Sequence, residues 1–241
     1  MTSPQCLPLA GYAIRSMPPE HLSAQLQHRM DSTNRTALLF ANTNFVLQCE
    51  NIREWVNSDE VVLVNDGVGL DIAAKWLHGQ RFAFNLNGTD FLPFLLHDLP
   101  RPYKIFLMGA KPGVAEKAGE VISRRFGHAV VGCLDGYVQM PPAMLQQMIN
   151  ASGAEIVLVA MGNPRQEQWI HDNMAQLNAP LLMGVGAGFD FLAGGVRRAP
   201  AWVQRVRLEW LFRLAQEPRR LAKRYSTDIV RFLLLCRRHR A

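Results

Sequence analysis

Asp66 is the side chain whose position most favours acid–base chemistry. It follows the apolar run of residues 61–64 in the segment Asn65-Asp66-Gly67, which would place its carboxylate at the carboxyl end of a strand. A carboxylate in that place can take a proton from an attacking hydroxyl, which is the role of a general base. The Asp-Gly pair also suits a helix cap or a tight turn, so both interpretations stay open.

Two later turns carry groups that could bind a phosphate. Pro164 begins a predicted helix with Arg165 and Gln166 in its first turn, and the amide N–H groups at a helix start can bind an anion. The run Gly184-Val-Gly-Ala-Gly-Phe-Asp190 is rich in glycine, but it has neither the dinucleotide order G-x-G-x-x-G nor a P-loop. A capped helix and close backbone packing explain these residues equally well.

The sequence contains no recognisable metal-binding motif. It has no Asp-x-Asp pair, its seven histidines show no zinc-site spacing, and its four cysteines show no C-x-x-C spacing. We therefore predict free thiols, no metal and no cofactor. A transferase that releases a nucleoside diphosphate would then need arginines or helix N-termini to compensate the charge.

Short apolar runs alternate with helix-like stretches, which predicts an α/β fold with a mostly parallel, Rossmann-like sheet flanked by helices. Near-continuous apolar strands indicate burial on both faces. Ligands of such sheets lie at the carboxyl ends of the strands, where the turns above fall. The predicted strands are residues 37–40, 61–64, 105–108, 129–133, 156–160 and 181–185, and the predicted helices are residues 69–77, 114–126, 143–150 and 166–176.

The positive charge of the chain is concentrated near its end. The 241 residues have a net charge of +6, but residues 197–241 hold 13 basic and 3 acidic residues, which leaves residues 1–196 with a net charge of −4. We predict an α/β catalytic domain over residues 1–196 and a basic helical appendage over residues 197–241, in which Pro218 begins a second helix. Apolar residues recur in the appendage at helical spacing: Trp202, Val203, Val206, Trp210, Leu211 and Leu214.

A localised cationic segment implies an anionic partner, and the candidates are a membrane surface, nucleic acid or a phosphorylated substrate. Bulky apolar residues among the arginines favour an anionic membrane surface over nucleic acid. The longest apolar runs are far shorter than the ~20 residues that span a bilayer, and no signal-peptide pattern is visible. We therefore predict a cytoplasmic protein that is peripheral on the inner face of the cell membrane.

An ordered set of motifs resembles the WecG/TagA/CpsF family of bacterial glycosyltransferases, and it covers roughly residues 36–232. The first 30 residues are unassigned by the resemblance. The long motifs are Asn163-Pro-Arg-Gln-Glu167, Gly184-Val-Gly-Ala-Gly-Phe-Asp-Phe-Leu-Ala-Gly194, Arg198-Ala-Pro-Ala-Trp202, Leu208-Glu-Trp-Leu-Phe-Arg213 and Glu217-Pro-Arg-Arg-Leu-Ala-Lys-Arg-Tyr225. The short ones are Thr43-Asn44, Asp66-Gly67, Gly88-Thr-Asp90, Gly109-x-x-Pro-Gly113 and Asp135-Gly136.

The resemblance implies a metal-independent, inverting transfer of a hexosyl group from a UDP-sugar to a sugar on undecaprenyl diphosphate. Such a step builds exopolysaccharide, capsule, common antigen or teichoic acid linkage units. The resemblance implies Asp66 as the catalytic base, Thr43 and Gln166 as further catalytic residues, and tail arginines around the diphosphate. The implied substrate-binding residues are Asn44, Asn87, Thr89, Asp90, Gly109, Asp135, Gly136, Gly162, Asn163, Pro164, Gly186, Asp190, Arg198, Arg213, Arg220 and Arg224.

Two other classes of function stay open at this point. The first is a nucleotide-dependent epimerase or oxidoreductase, against which the missing dinucleotide fingerprint counts. The second is a non-enzymatic membrane-binding adaptor that acts through its basic tail. Short helices are marginally stable alone in water, so we expect the tail to fold over the strand ends at the membrane or in a homo-oligomer. N-acetylmannosamine, its uronic acid, glucuronic acid and glucose all fit the resemblance as donor sugars.

Overall fold

The computed structural model describes residues 5–32, 34–196, 200, 209–216 and 226–239. Within these residues, eight strands form one sheet in the order β1-β2-β4-β3-β8-β7-β5-β6, and all neighbours except β1 and β2 are parallel. The strands are β1 (Gln5–Leu9), β2 (Tyr12–Ser16), β3 (Thr36–Ala41), β4 (Val61–Asn65), β5 (Lys104–Gly109), β6 (Ala129–Leu134), β7 (Ile156–Ala160) and β8 (Leu181–Gly184).

Helices cover both faces of this sheet, so the predicted α/β fold class is confirmed. The four central strands β3, β4, β7 and β8 are buried at every position, as their unbroken apolar runs predict. Along β4, Val61 and Leu63 enter one core while Val62 and Val64 enter the other, because successive side chains of a strand point to opposite faces. All six predicted strands are present.

The helices that follow the strands place their first residues at one edge of the sheet. All four predicted helices are present, and further helices were not predicted, among them Gly88–Asp98, which has Pro93 in its interior. The helices are α1 (Pro19–Asp31), α2 (Thr43–Gln48), α3 (Arg53–Val56), α4 (Val68–His78), α5 (Gly88–Asp98), α6 (Val114–Val121, continued by a wider turn over Ile122–Phe126), α7 (Pro142–Ala151), α8 (Arg165–Asn173) and α9 (Gly188–Leu192).

Residues 5–30 belong to the stretch that the resemblance leaves unassigned, and their strands extend the sheet. β1 and β2 form a hairpin whose turn, Ala10-Gly11, has positive φ at both residues, as the tight turn that matches strand twist requires. β2 then pairs with β4 in parallel, and α1 packs its buried residues Leu22, Leu26 and Met30 into one of the two cores.

Among the described residues, two further helices follow α9, Glu209–Gln216 and the C-terminal helix Thr227–Arg238. The C-terminal helix packs against α2 and α4, and its Phe232 and Cys236 are fully buried in the core that these helices share. The expected tail residues Trp202, Val203, Val206 and Pro218 lie outside the described residues. The predicted boundary between domain and appendage therefore stays a prediction.

Candidate active site

A cavity of about 500 Å³ lies at the carboxyl ends of β3, β4, β7 and β8. Ligands of open α/β sheets bind in the crevice outside the carboxyl ends of the strands. β3 and β8 are neighbours at the centre of the sheet, with β4 beside β3 and β7 beside β8. Seven of the predicted site residues line the cavity: Asn44, Asp66, Thr89, Gly162, Asn163, Gln166 and Gly186.

Asp66 is held at the cavity wall by its own backbone. Its N–H donates to the carbonyl oxygen of Ala41 at 2.6 Å, which ties the end of β4 to the end of β3. The next N–H, that of Gly67, donates to Asn85 Oδ1 at 2.8 Å. The N-cap of α4 is Gly67, with a φ of 96°, rather than Asp66. The half-buried Asp66 carboxylate therefore faces the cavity without being the cap of the following helix.

Of the two predicted site residues in the turn after β3, Asn44 lines the cavity and Thr43 does not. Asn42 caps α2, because its Oδ1 accepts from the N–H groups of Asn44 and Phe45, each at 3.1 Å. Asn44 lines the cavity, whereas Thr43 is 7% exposed and packs against α4. A side chain at Gly69 would collide with the Thr43 methyl group. Thr43 thus holds α2 and α4 together just behind the cavity wall.

Gln166 clamps two strand-end turns together. Its Oε1 accepts from the N–H of Gly162 at 3.1 Å, after β7, and from the N–H of Gly186 at 3.0 Å, after β8. Its Nε2 donates to Glu167 Oε1 at 2.8 Å, and the residue is 4% exposed. Both ends of the amide are in use within the protein, so Gln166 shapes the cavity through the backbone that it fixes.

Glu167 is the functional candidate that sequence reasoning missed. It is fully buried, and its Oε1 accepts hydrogen bonds from Gln166 and from Asn163 Nδ2, while Asn163 Oδ1 accepts from Asn42 at 3.4 Å. Its Oε2 is buried without a hydrogen-bond partner in the described part of the chain. Burial raises the pKa of Glu167 to about 7, and the hydrogen bonds from Gln166 and Asn163 only partly oppose this. The one signal in the sequence is its place in the motif that begins at Asn163.

The raised pKa predicts how stability changes with pH. An unfolded glutamate has a pKa near 4.5. The contribution of Glu167 to stability is thus fully present below pH 4.5 and is lost as the pH rises through about 7. We expect the unfolding free energy of the wild type, relative to Glu167→Gln, to fall by on the order of 3 kcal/mol across that window in urea titrations. The exposed Glu120→Gln is the matched control, and an equal slope for both variants would contradict the assignment.

The start of α5 contributes two residues to the cavity, Gly88 and Thr89, and two to its own cap. Asn87 Oδ1 accepts from the N–H of Asp90 at 2.9 Å, and Asn87 Nδ2 donates to Asp90 Oδ2 at 2.8 Å. This reciprocal pair fixes the helix start, and it leaves Thr89 at the cavity wall. Pro164 and Asp190 lie at the starts of α8 and α9 without lining the cavity.

Gly109, Asp135 and Gly136 lie beyond β7, at the ends of β5 and β6, and do not line the cavity. The N–H of Gly136 donates to the carbonyl oxygen of Ala110 at 2.9 Å, and Asp135 Oδ1 accepts from the N–H of Tyr137 at 2.8 Å. These bonds shape the connection after β6. Their predicted role in substrate binding stays a prediction, since the contacts present are structural ones.

Gly109 gives a test of this structural role. It has a φ of 117°, and a Cβ at this position would lie 2.5 Å from the carbonyl oxygen of Ala160. We expect Gly109→Ala to lower the unfolding free energy by about 2 kcal/mol or more. Gly113→Ala is the matched control, because Gly113 also has a positive φ, 78°, but open space around it. Equal losses in the two variants would show that the Ala160 contact contributes nothing.

The side chains of the four arginines that were predicted to bind the diphosphate are not among those that the structure describes. Arg198, Arg220 and Arg224 lie outside the described residues, and Arg213 is on the helix Glu209–Gln216 with a side chain that is likewise not described. The charged residues that line the described cavity are Asp66 and Asp228. Within the described ranges, no group of three or more His, Cys, Asp or Glu side chains could hold a metal ion.

A comparison with protein-family models gives one match. The model of the Glycosyl transferase WecG/TagA/CpsF family matches residues 7–241. The match includes most of the hairpin and all of α1, and it therefore extends beyond the motifs of residues 36–232 to nearly the whole chain.

Proposed function

This chain belongs to the WecG/TagA/CpsF family of glycosyltransferases, and we propose that it transfers a hexosyl group from a UDP-sugar to a sugar linked to undecaprenyl diphosphate. The family assigns it to glycosyl transfer in the synthesis of cell-surface polysaccharide. The observation that carries the finer proposal is the position of Asp66, a half-buried carboxylate at the wall of the cavity formed by four parallel strand ends.

The proposed reaction is a single displacement with Asp66 as general base. A hydroxyl oxygen of the acceptor sugar attacks the anomeric carbon of the donor, and its proton passes to the Asp66 carboxylate. The bond between the anomeric carbon and the β-phosphate oxygen breaks, and its electron pair leaves with UDP. Attack opposite the leaving group inverts the anomeric configuration. Asn44, Thr89 and Asn163 supply polar groups along the cavity wall that can orient the sugars.

The departing UDP needs positive charge, and the described cavity wall carries no lysine or arginine. We assign that role to the arginines of residues 197–241, where the resemblance places Arg198, Arg213, Arg220 and Arg224. The C-terminal helix that begins at Thr227 packs on α2 and α4, and its Asp228 lines the cavity.

The proposed location is the inner face of the cell membrane. Along the C-terminal helix, Val230 and Leu234 are more than half exposed and lie among the exposed Arg231, Arg237 and Arg238, a pattern typical of a helix at a lipid interface. No helix among the described residues is long and apolar enough to cross a membrane. Sedimentation with anionic liposomes and with duplex DNA across a salt series tests this location, and preferential binding of DNA would contradict it.

Turnover of a panel of UDP-sugars tests the function itself. The donors are UDP-activated N-acetylmannosamine, its uronic acid, glucuronic acid and glucose, and the acceptor is the lipid-linked sugar of a total membrane extract. We expect acceptor-dependent release of UDP that persists with a chelator present, and a product of inverted configuration. Release of no UDP, together with tighter binding of NAD than of UDP in calorimetry, would favour the oxidoreductase or epimerase alternative.

A further inference from the structure

Asp228 is a nearly buried carboxylate at the cavity wall, and the reaction proposed above does not use it. It is the second residue of the C-terminal helix, it is 8% exposed, and it lines the same cavity as Asp66. No hydrogen bond or ion pair of its side chain is found among the described residues, and its carboxylate is open to the cavity. Buried polar groups are almost always paired in folded proteins, so a nearly buried carboxylate at a cavity wall is a candidate for binding a ligand.

The packing of the C-terminal helix holds Asp228 in that place. Asp228, Phe232 and Cys236 follow one another at helical spacing, and all three are buried. Ile229 also lies near Gly69 of α4. An acidic residue favours the start of a helix, but an exposed position in the same turn would serve that purpose as well. On the buried stripe, the carboxylate instead faces the cavity that Asp66 also lines.

The chemistry of the cavity wall selects the kind of ligand. An ionised carboxylate only accepts hydrogen bonds, so it binds hydroxyl and amide N–H groups and repels phosphate. Asp66 and Asp228 are both acidic, and the described wall has no basic side chain. This part of the cavity therefore suits the hydroxyl-rich, uncharged part of a substrate, and the diphosphate would bind elsewhere.

We infer that Asp228 binds hydroxyl groups of a neutral sugar in the cavity and disfavours a uronic acid at that position. The inference rests on the proposed function, because it names the class of sugar that this site accepts. The sugar belongs either to the donor or to the acceptor. Both present the same hydroxyl groups, so separate kinetic constants for the two substrates distinguish them.

The test compares Asp228→Ala and Asp228→Asn with the wild type in steady-state transfer, with donor and acceptor varied in turn. We expect Asp228→Ala to raise the KM of one substrate about ten- to 100-fold while the KM of the other and kcat change little, since a hydrogen bond to a charged group is lost. Asp228→Asn keeps one acceptor oxygen and should restore part of the affinity. Asp172→Asn, an exposed change of the same type on α8, is the matched control.

A change in sugar preference is expected only if Asp228 contacts the sugar, and a purely structural role would leave that preference unchanged. If Asp228 faces the donor, Asp228→Asn should narrow the difference in binding between UDP-glucose and UDP-glucuronic acid, while the affinity for UDP alone stays that of the wild type. If it faces the acceptor, the acceptor KM changes instead. Thermal unfolding should show Asp228→Asn close in stability to the wild type, because asparagine has nearly the same shape as aspartate.

The failures of the two proposals are distinguishable. A wild type that binds no UDP and transfers no sugar contradicts the proposed function. An active wild type whose Asp228→Ala variant keeps both KM values, or whose Asp228→Asn variant is destabilised without a change in sugar preference, overturns the role of Asp228 alone. Loss of wild-type turnover to a chelator, with recovery in Mg²⁺, also overturns it, since the two carboxylates would then hold a cation.

Discussion

Asp66→Asn is expected to lower kcat by about 100- to 10,000-fold, the range that a general base contributes to an enzymatic reaction. Asparagine has nearly the same shape as aspartate, but it cannot take the proton of the attacking hydroxyl. The backbone bonds that hold this position, from the Asp66 N–H to Ala41 and from the Gly67 N–H to Asn85, do not involve the substituted atoms. We therefore expect normal folding, and substrate binding close to that of the wild type.

Asp59→Asn is the matched control for this experiment. Asp59 is exposed and lies just before β4, at the amino end of the strand that Asp66 follows. The control should transfer sugar at the rate of the wild type. Retention of near-wild-type turnover by Asp66→Asn, on the lipid-linked acceptor and with the same donor, would remove Asp66 from the mechanism.

Gln166→Leu is expected to lower both stability and activity. The change leaves the N–H groups of Gly162 and Gly186 without their acceptor and removes the Nε2 donor to Glu167. Each buried polar group left unpaired costs about 1–3 kcal/mol, so we expect the unfolding free energy to fall by about 3 kcal/mol or more in urea titrations. Activity should fall as well, since both of these turns line the cavity.

Gln168→Leu controls for the loss of a glutamine from α8. Its side chain bonds to Asn51 and Asp172 on the exposed side of the helix, where water can replace the partners. We expect a change of less than about 1 kcal/mol. Equal destabilisation by the two variants would show that the clamp between the turns after β7 and β8 is not what Gln166 contributes.

The location of Asp66 could be predicted from the sequence because it depends on one strong local signal. An apolar strand followed by Asp-Gly places a carboxylate at a strand end, and parallel strands bring such ends together. The glycine-rich run from Gly184 was open to two interpretations, and the structure favours close packing. The N–H of Gly186 is used by Gln166, and a Cβ at Gly184 would lie 2.9 Å from Gln166 Nε2.

Two parts of the structure could not be predicted from local sequence patterns, the N-terminal hairpin and the position of Asp228. The hairpin alternates polar and apolar residues and contains Pro8, which an edge strand tolerates but which weakens the strand signal. Asp228 appeared only as one of three acidic residues in a basic tail. Its importance arises from the packing of Phe232 and Cys236 against α2 and α4, a contact between distant segments that no spacing in the sequence predicts.

Hydrogen–deuterium exchange of the full chain, with and without a UDP-sugar and a lipid-linked acceptor, tests most directly whether the cavity is where transfer takes place. We expect slower exchange in peptides that contain residues 42–48, 66–70, 161–166 and 184–188, which form the cavity wall and its supports. Protection confined to the ends of β5 and β6, around Gly109 and Asp135, with no change in those four segments, would contradict the account.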